Sequence, residues 1–349
     1  MIIISENKKE TELKGDIRLM KKQSLMAAAL LLLFMLVLSA CGNATPKAES
    51  TASTASGTEA SANTSESKTD ANKDQAASGK VTYQSETGPV EIPAHPARIV
   101  ALTNAPNVLS LGVTPVGVDQ WTGASPLFTD KLKGVAIVTE DDPESIAAQA
   151  PDLIIAGSTT KNLDQLSKIA PTVVYTWGKL NYLDQQVEIG KLLGKEDEAK
   201  AWVEDFTKRA SDIGAKIKAK YGDDVSVAVL EIDGKNAYVM GDSWARGTEI
   251  LYQAMKLKMP DKVKQAVAKD GYYSLSLEVL PEYMGDFVAV SRKMDAANEI
   301  MDSEVWKKIP AVEKGHVIEF ESAAASYSDP MTLENLLGIF EKGFLGDAK

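Results

Sequence analysis

Residues 196–220 read EDEAKAWVEDFTKRASDIGAKIKAK, and this stretch decides the architecture. Apolar side chains recur at Ala199, Trp202, Val203, Phe206, Ala210, Ile213 and Ile217, the three-and-four spacing of one buried helical stripe. No proline interrupts the run, and it contains a single glycine, Gly214. At 1.5 Å per residue such a helix extends about 35 Å, roughly the width of a small domain. It is long enough to bridge two lobes.

On its amino-terminal side, short apolar runs alternate with amphipathic ones. Residues 98–102 (RIVAL) predict a strand, 105–111 a short helix, 115–118 a strand and 121–125 a turn. PESIAAQ (143–149) predicts a helix leading into DLIIA (152–156), an apolar run suited to a strand covered on both faces. Residues 163–169 and 172–175 repeat the helix-then-strand order. Beyond Tyr221 the alternation restarts, with strands expected at 225–232, 237–240, 287–290 and 316–320 and helices at 248–255, 276–283 and 333–342. The expected fold is therefore α/β: two α/β lobes with largely parallel sheets, at 80–195 and 222–349, joined by one long rigid helix at 196–221. A cleft between lobes is where small-ligand sites preferentially form.

The first eighty residues have a different character. Residues 20–42, MKKQSLMAAALLLLFMLVLSACG, place Lys21 and Lys22 before an apolar run at 25–38 and small residues before Cys41. The run is shorter than the roughly 20 residues that span a bilayer core, so residues 1–40 read as a secretory leader. Residues 1–19 are charged and fit no such pattern, which points to Met20 as the start. Leu38-Ser39-Ala40-Cys41 resembles the lipobox of bacterial lipoproteins, whose cysteine receives a diacylglycerol and becomes the new amino terminus. Cys41 is the only cysteine in the chain. Used in this way, it leaves no thiol for a disulfide or a metal cluster. Residues 41–79 are almost purely Ala, Ser, Thr, Glu, Lys and Gly and read as a flexible tether.

Residues 1–40 hold six Lys/Arg and four Asp/Glu, so losing them moves the net charge from −11 to −13. That balance argues against nucleic acid, which demands basic surface. Enzymatic chemistry is poorly supported. Gly241-Asp242-Ser243 superficially matches a hydrolase start but has no later Asp-x-x-His, and no phosphate-binding glycine loop is present. The two histidines, His95 and His316, have no metal-ligand pattern around them, which argues against a direct zinc or manganese site and weakens haem.

RIVAL, PESIAAQAPDLIIAG (143–157), the long helix and SLEVLPEYMGDFVAVS (276–291) together resemble the helical-backbone class of periplasmic binding proteins, over essentially everything after Gly79. GDSWARGTEILYQ (241–253) and SYSDPMTLENLL (326–337) look like its ferric hydroxamate branch. The resemblance implies two lobes with little hinge motion and an aromatic-lined cleft. It also implies one acidic residue per lobe that docks on the arginines of an ABC permease. Carried across, Trp244 and Arg246 match the ligand-contacting Trp-x-Arg, and Glu144 and Glu278 match the docking acids. Glu282 lies close enough to Glu278 to leave the second assignment open between them.

A hydroxamate chelate presents an apolar periphery around carbonyl and N–O oxygens, so it calls for flat aromatic walls and a planar cationic fork. Trp244 and Arg246 supply both on one loop. On chemistry alone the favoured reading is a tryptophan that packs the lobe and an arginine that caps or salt-bridges a surface, and it is the resemblance that decides for the ligand. Trp121 and Trp177 follow first-lobe strands, where open α/β sheets place ligands, with core packing the alternative for either. Tyr238, Tyr272, Tyr327 and Arg292 are further candidates, whereas Trp202 and Trp306 sit inside helical patterns and read as core.

The expected ligand is an Fe(III)-siderophore complex, with no cofactor and no metal bound by the protein itself. The expected partners are permease subunits and, through Cys41, the outer face of a Gram-positive cell membrane, with the chain acting as a monomer. Same-class receptors for a catecholate, citrate, haem or cobalamin are the near alternatives, and a non-transport lipid-anchored sensor is the distant one. Catecholate and citrate complexes are more anionic and need several cations, whereas only Arg246, Arg292 and Lys179 are available candidates.

Overall fold

The computed structural model describes residues 79–346. The leader 1–40, Cys41 and the tether up to residue 78 lie outside the described residues.

The described chain opens with β1 (Lys80–Ser85) and β2 (Gly88–Pro93), an antiparallel hairpin that the sequence pattern does not predict. It is pinned to the first lobe, because the Tyr83 hydroxyl donates to Glu188 at 2.6 Å and lies 2.7 Å from the Tyr175 hydroxyl. There follow β3 (Ile99–Ala101), α1 (Ala105–Ser110), β4 (Gly117–Val118), α2 (Gln120–Ala124), β5 (Ala136–Ile137), α3 (Pro143–Ala148), β6 (Leu153–Gly157), α4 (Leu163–Ile169), β7 (Thr172–Tyr175) and α5 (Tyr182–Leu192). The sheet runs β5-β4-β3-β6-β7 with every pair parallel. Leu153 to Ala156 are fully buried, as a strand covered on both faces requires. The turn expected at 121–125 is the helix α2 instead, because Asp119 caps it by accepting from the amides of Trp121 and Thr122.

Helix α6 (Glu196–Tyr221) then leads to the second lobe. That lobe holds β8 (Val227–Asp233), β9 (Asn236–Met240), a π-helical turn (Glu249–Ala254), α7 (Asp261–Val267), β10 (Tyr272–Leu275), a 3-10 turn (Leu277–Glu282), β11 (Phe287–Arg292), α8 (Glu304–Lys307), α9 (Pro310–Glu313), β12 (Val317–Glu321) and α10 (Pro330–Leu345). Its order is β10-β9-β8-β11-β12, in which β8, β11 and β12 are parallel and β9 runs antiparallel to both neighbours. The stretch expected as an α-helix at 248–255 is the wider π-helical turn, which ends at Ala254 and is followed by Lys256 at φ 58°.

The bridging helix divides its burial between two cores. Ala199 packs in the first-lobe core with Ile189 and Val173, while Phe206, Ala210, Ile213 and Ile217 pack in the second with Val227 and Phe287. Helix α10 makes a second tie. Met331 packs against the first core, Leu333, Leu336, Leu337, Phe340 and Phe344 belong to the second, and the helix lies on α1. Glu334 staples the two ties together by accepting from Trp202 Nε1 at 2.9 Å and from Arg209 Nη1 and Nη2 at 2.9 and 2.5 Å. Trp202 is half-buried and stacks on Phe206, and Trp306 is buried in the second lobe. Among the described residues no helix is long and apolar enough to cross a membrane.

Candidate functional site

The loop GDSWARGTE (241–249) leaves β9 and enters the π-helical turn through three consecutive left-handed residues: Ala245 (φ 55°), Arg246 (φ 52°) and Gly247 (φ 78°). For residues with a Cβ this conformation is unfavourable by about 1–2 kcal/mol each, so surrounding bonds must impose it. The Trp244 amide donates to Thr248 Oγ1 at 3.0 Å, the Ala245 amide to Glu249 Oε1 at 3.1 Å, and the Arg246 amide to the Ala325 carbonyl at 2.9 Å. Gly247 is required twice over, since a Cβ there would also meet the Phe340 ring at 2.3 Å. At Gly271 (φ 76°) a Cβ would fall 1.6 Å from Trp244 Nε1, so this glycine is the bed on which the indole lies.

Trp244 anchors a row of edge-on rings. Its ring centroid lies 5.5 Å from that of Trp177, at 67°, and 4.9 Å from that of Tyr272, at 61°; Tyr272 stands 6.3 Å from Tyr238. Trp177, 78% exposed, comes from the first lobe and reaches across to the second. Arg246 Nε donates to Glu231 at 2.7 Å and Nη1 reaches the Trp244 carbonyl at 3.4 Å. Nη2 makes no hydrogen bond among the described residues, so one edge of the fork is uncommitted while Glu231 fixes its plane.

Trp244, Tyr272, Tyr238, Arg246 and Glu231 line a cavity of about 600 Å³, within the range of small-molecule sites. Tyr238 pairs with Glu231, and Met240 with Tyr272, across the β8, β9 and β10 ribbon, so their side chains rise from it in two facing pairs. Asp233, Arg292, Lys293 and Asn298 complete the polar wall. Arg292 is already engaged, donating to Glu319 at 2.6 Å and to the carbonyls of Lys293, Met294 and Ala296. Lys293 pairs with Asp295 at 3.6 Å. The cavity thus holds no surplus of unpaired cations.

Of the sequence candidates, Trp244, Arg246, Tyr238, Tyr272 and Arg292 come together here, with Trp177 against Trp244. The lining belongs to the second lobe, whereas the sequence reading expects a cleft shared between lobes. Trp121 is 71% exposed on α2 and is not among the lining residues. Tyr327 is not either: it packs on Phe128 of the first core, with its hydroxyl 3.5 Å from Thr122 Oγ1. Lys179 pairs with Glu86 instead of lining the cavity.

Glu144, in the first turn of α3, and Glu278, in the 3-10 turn, are both exposed, and neither has an ion pair among the described residues. Hydrogen bonds from its own amide and from Ser276 hold the Glu278 carboxyl below its usual range. Glu282 is paired with Lys262. His316 stacks on Phe287 at 4.1 Å, and His95 lies beside Gly194. Among the described residues no group of three or more His, Cys, Asp or Glu is placed to hold a metal ion.

The residue that sequence reasoning missed is Glu231. Its signal was legible as an acid inside the apolar strand VAVLEID (227–233), where a charge needs a partner.

The profile of the family described as periplasmic binding protein matches residues 99–324. The chain is 31% identical over 323 residues to the iron(3+)-hydroxamate-binding protein FhuD of Bacillus subtilis, covering 90% of this chain and 96% of that one. It is 32% identical over 331 residues to the iron(3+)-hydroxamate-binding protein YxeB of the same organism, covering 92% and 96%. Among solved structures it is similar to FhuD2 from Staphylococcus aureus with bound ferrioxamine B, at a TM-score of 0.68 and 34% identity over 73% of this chain and all of that one.

Proposed function

Because this chain belongs to the periplasmic binding protein family, we propose that it is the extracytoplasmic substrate-binding component of an ABC importer and that its cargo is a ferric hydroxamate siderophore. The observation that carries this reading is the chemistry of the cavity. Trp244, Tyr272 and Tyr238 offer flat apolar walls, and Arg246 offers one free, oriented guanidinium edge. Arg246, Arg292 and Lys293 each already face a carboxylate, at Glu231, Glu319 and Asp295. A strongly anionic catecholate or citrate complex would find little uncompensated positive charge here. A near-neutral hydroxamate needs only walls and a few donors to its oxygens. The iron enters as part of the cargo, already wrapped by the chelate, and the protein contacts only the wrapping.

Glu144 and Glu278 are assigned to the permease arginines, one per lobe. Glu282 is already satisfied by Lys262, which favours Glu278 as the second-lobe acid. Cys41 is assigned the lipid that holds the chain on the outer face of the membrane, and no enzymatic step is assigned. Intrinsic tryptophan fluorescence titrated with ferrioxamine B, its iron-free chelator deferrioxamine B, ferric citrate and a ferric catecholate tests the proposal. Saturable quenching by the ferric hydroxamate at the lowest concentration is expected. Tighter binding of citrate or the catecholate would overturn the cargo assignment.

A further inference from the structure

Glu249 is 4% exposed and has no cationic partner among the described residues. A buried unpaired carboxylate is unfavourable unless hydrogen bonds compensate it, and a fold that keeps one uses its acceptors. Burial pushes the Glu249 carboxyl pKa up, against the hydrogen bonds it accepts.

Those acceptors converge on the ligand loop. Glu249 Oε1 takes the Ala245 amide at 3.1 Å and the Ser328 hydroxyl at 2.8 Å. Oε2 takes the Thr248 hydroxyl at 3.1 Å, and that hydroxyl oxygen in turn accepts the Trp244 amide at 3.0 Å. One side chain therefore fixes, directly or through Thr248, the amides of two successive residues, Trp244 and Ala245. It ties them to Ser328, whose neighbour Tyr327 is seated against Phe128 of the first lobe.

We propose that Glu249 is a positioning residue for ligand capture: it holds the strained turn so that the Trp244 ring and the free edge of Arg246 stand ready in the cavity. This rests on the assignment of that cavity to a ferric chelate. A residue that merely filled the core would have no reason to present two oxygens to three donors. Because the left-handed turn is intrinsically unfavourable at Ala245 and Arg246, the loop is expected to relax once the acceptors are removed.

The test compares Glu249→Gln and Glu249→Ala in the full chain, at a temperature where both are folded by circular dichroism. Glutamine keeps an acceptor oxygen in place of Oε1 and turns an amide toward the Thr248 hydroxyl, which can accept; alanine removes everything. Hydrogen exchange is measured at the Trp244 and Ala245 amides of the free protein, and ferrioxamine B affinity by fluorescence. In Glu249→Ala the two amides are expected to exchange faster and affinity to fall by about tenfold or more, equivalent to about 1.4 kcal/mol. In Glu249→Gln both are expected to stay within about threefold of wild type, on the same scale.

Wild-type exchange or wild-type affinity in Glu249→Ala would overturn the proposal. Should Glu249→Ala not fold, Ser328→Ala removes one of the three donors: faster exchange at the Ala245 amide with weaker binding supports the proposal, and no change in either overturns it. If the wild type itself ignores ferrioxamine B, the cargo assignment fails, and exchange at the two amides alone decides the role of Glu249.

Discussion

Arg246 occupies a backbone conformation that arginine seldom adopts, and Glu231 holds its guanidinium plane from below. Charge-assisted hydrogen bonds from its free edge to chelate oxygens would contribute about 1.5–3 kcal/mol each. Arg246→Ala is therefore expected to weaken ferric hydroxamate binding about ten- to a hundredfold, at about 1.4 kcal/mol per factor of ten. Arg246→Lys keeps the charge but loses the planar fork, and is expected to recover only a small part of the loss. Full recovery by lysine in a fluorescence titration would show that charge alone suffices. The Trp-x-Arg pair was legible in the sequence through the resemblance its short loop carries, since chemistry alone favours a packing tryptophan and a capping arginine. The pairing of Glu231 with Arg246 and the contact of Trp177 with Trp244 were not, because each joins strands or lobes that no local pattern relates. Trp121 and Tyr327 show the converse: strand-end position and motif proximity marked them, but packing places Tyr327 against the first core and leaves Trp121 on an exposed helix.

At the scale of elements, α6 extends over Glu196–Tyr221 because its apolar stripe has one unbroken period, and the same regularity made it readable. Strand β4 falls within the strand expected at 115–118, whereas β5 has two residues, too few for any periodicity to speak. Helix α5 buries Gln186 on its inner face, which breaks the apolar pattern a reader looks for. Strand β10 exposes three of its four residues and gives no alternation. The pairing of α6 with α10 through Glu334 was also beyond local reading, since the residues it joins lie 125 and 132 positions apart. Glu334→Gln is expected to lower unfolding stability by about 1 kcal/mol, discounted because the Arg209 and Glu334 side chains are more than a third exposed. Urea unfolding with an unchanged slope and a lower midpoint is the expected result, with ferrioxamine B affinity preserved. An unchanged midpoint would mean that the staple adds nothing to the packing around it.

Over the whole molecule, two α/β lobes are tied by two helices, and a loop held in a strained turn presents the cavity. Such a frame suits capture of a rigid, bulky chelate with little lobe closure: the walls are already in place, and Trp177 already bridges from the first lobe to Trp244. On the proposed function, this cavity holds a ferric hydroxamate by its wrapping and not by its metal. An experimental structure of the chain with iron-loaded ferrioxamine B tests it most directly. The chelate is expected against Trp244, Tyr272 and Tyr238, with Arg246 Nη2 within hydrogen-bond reach of a chelate oxygen and no protein atom on the iron. A chelate bound elsewhere, or a protein side chain ligating the iron, would contradict it.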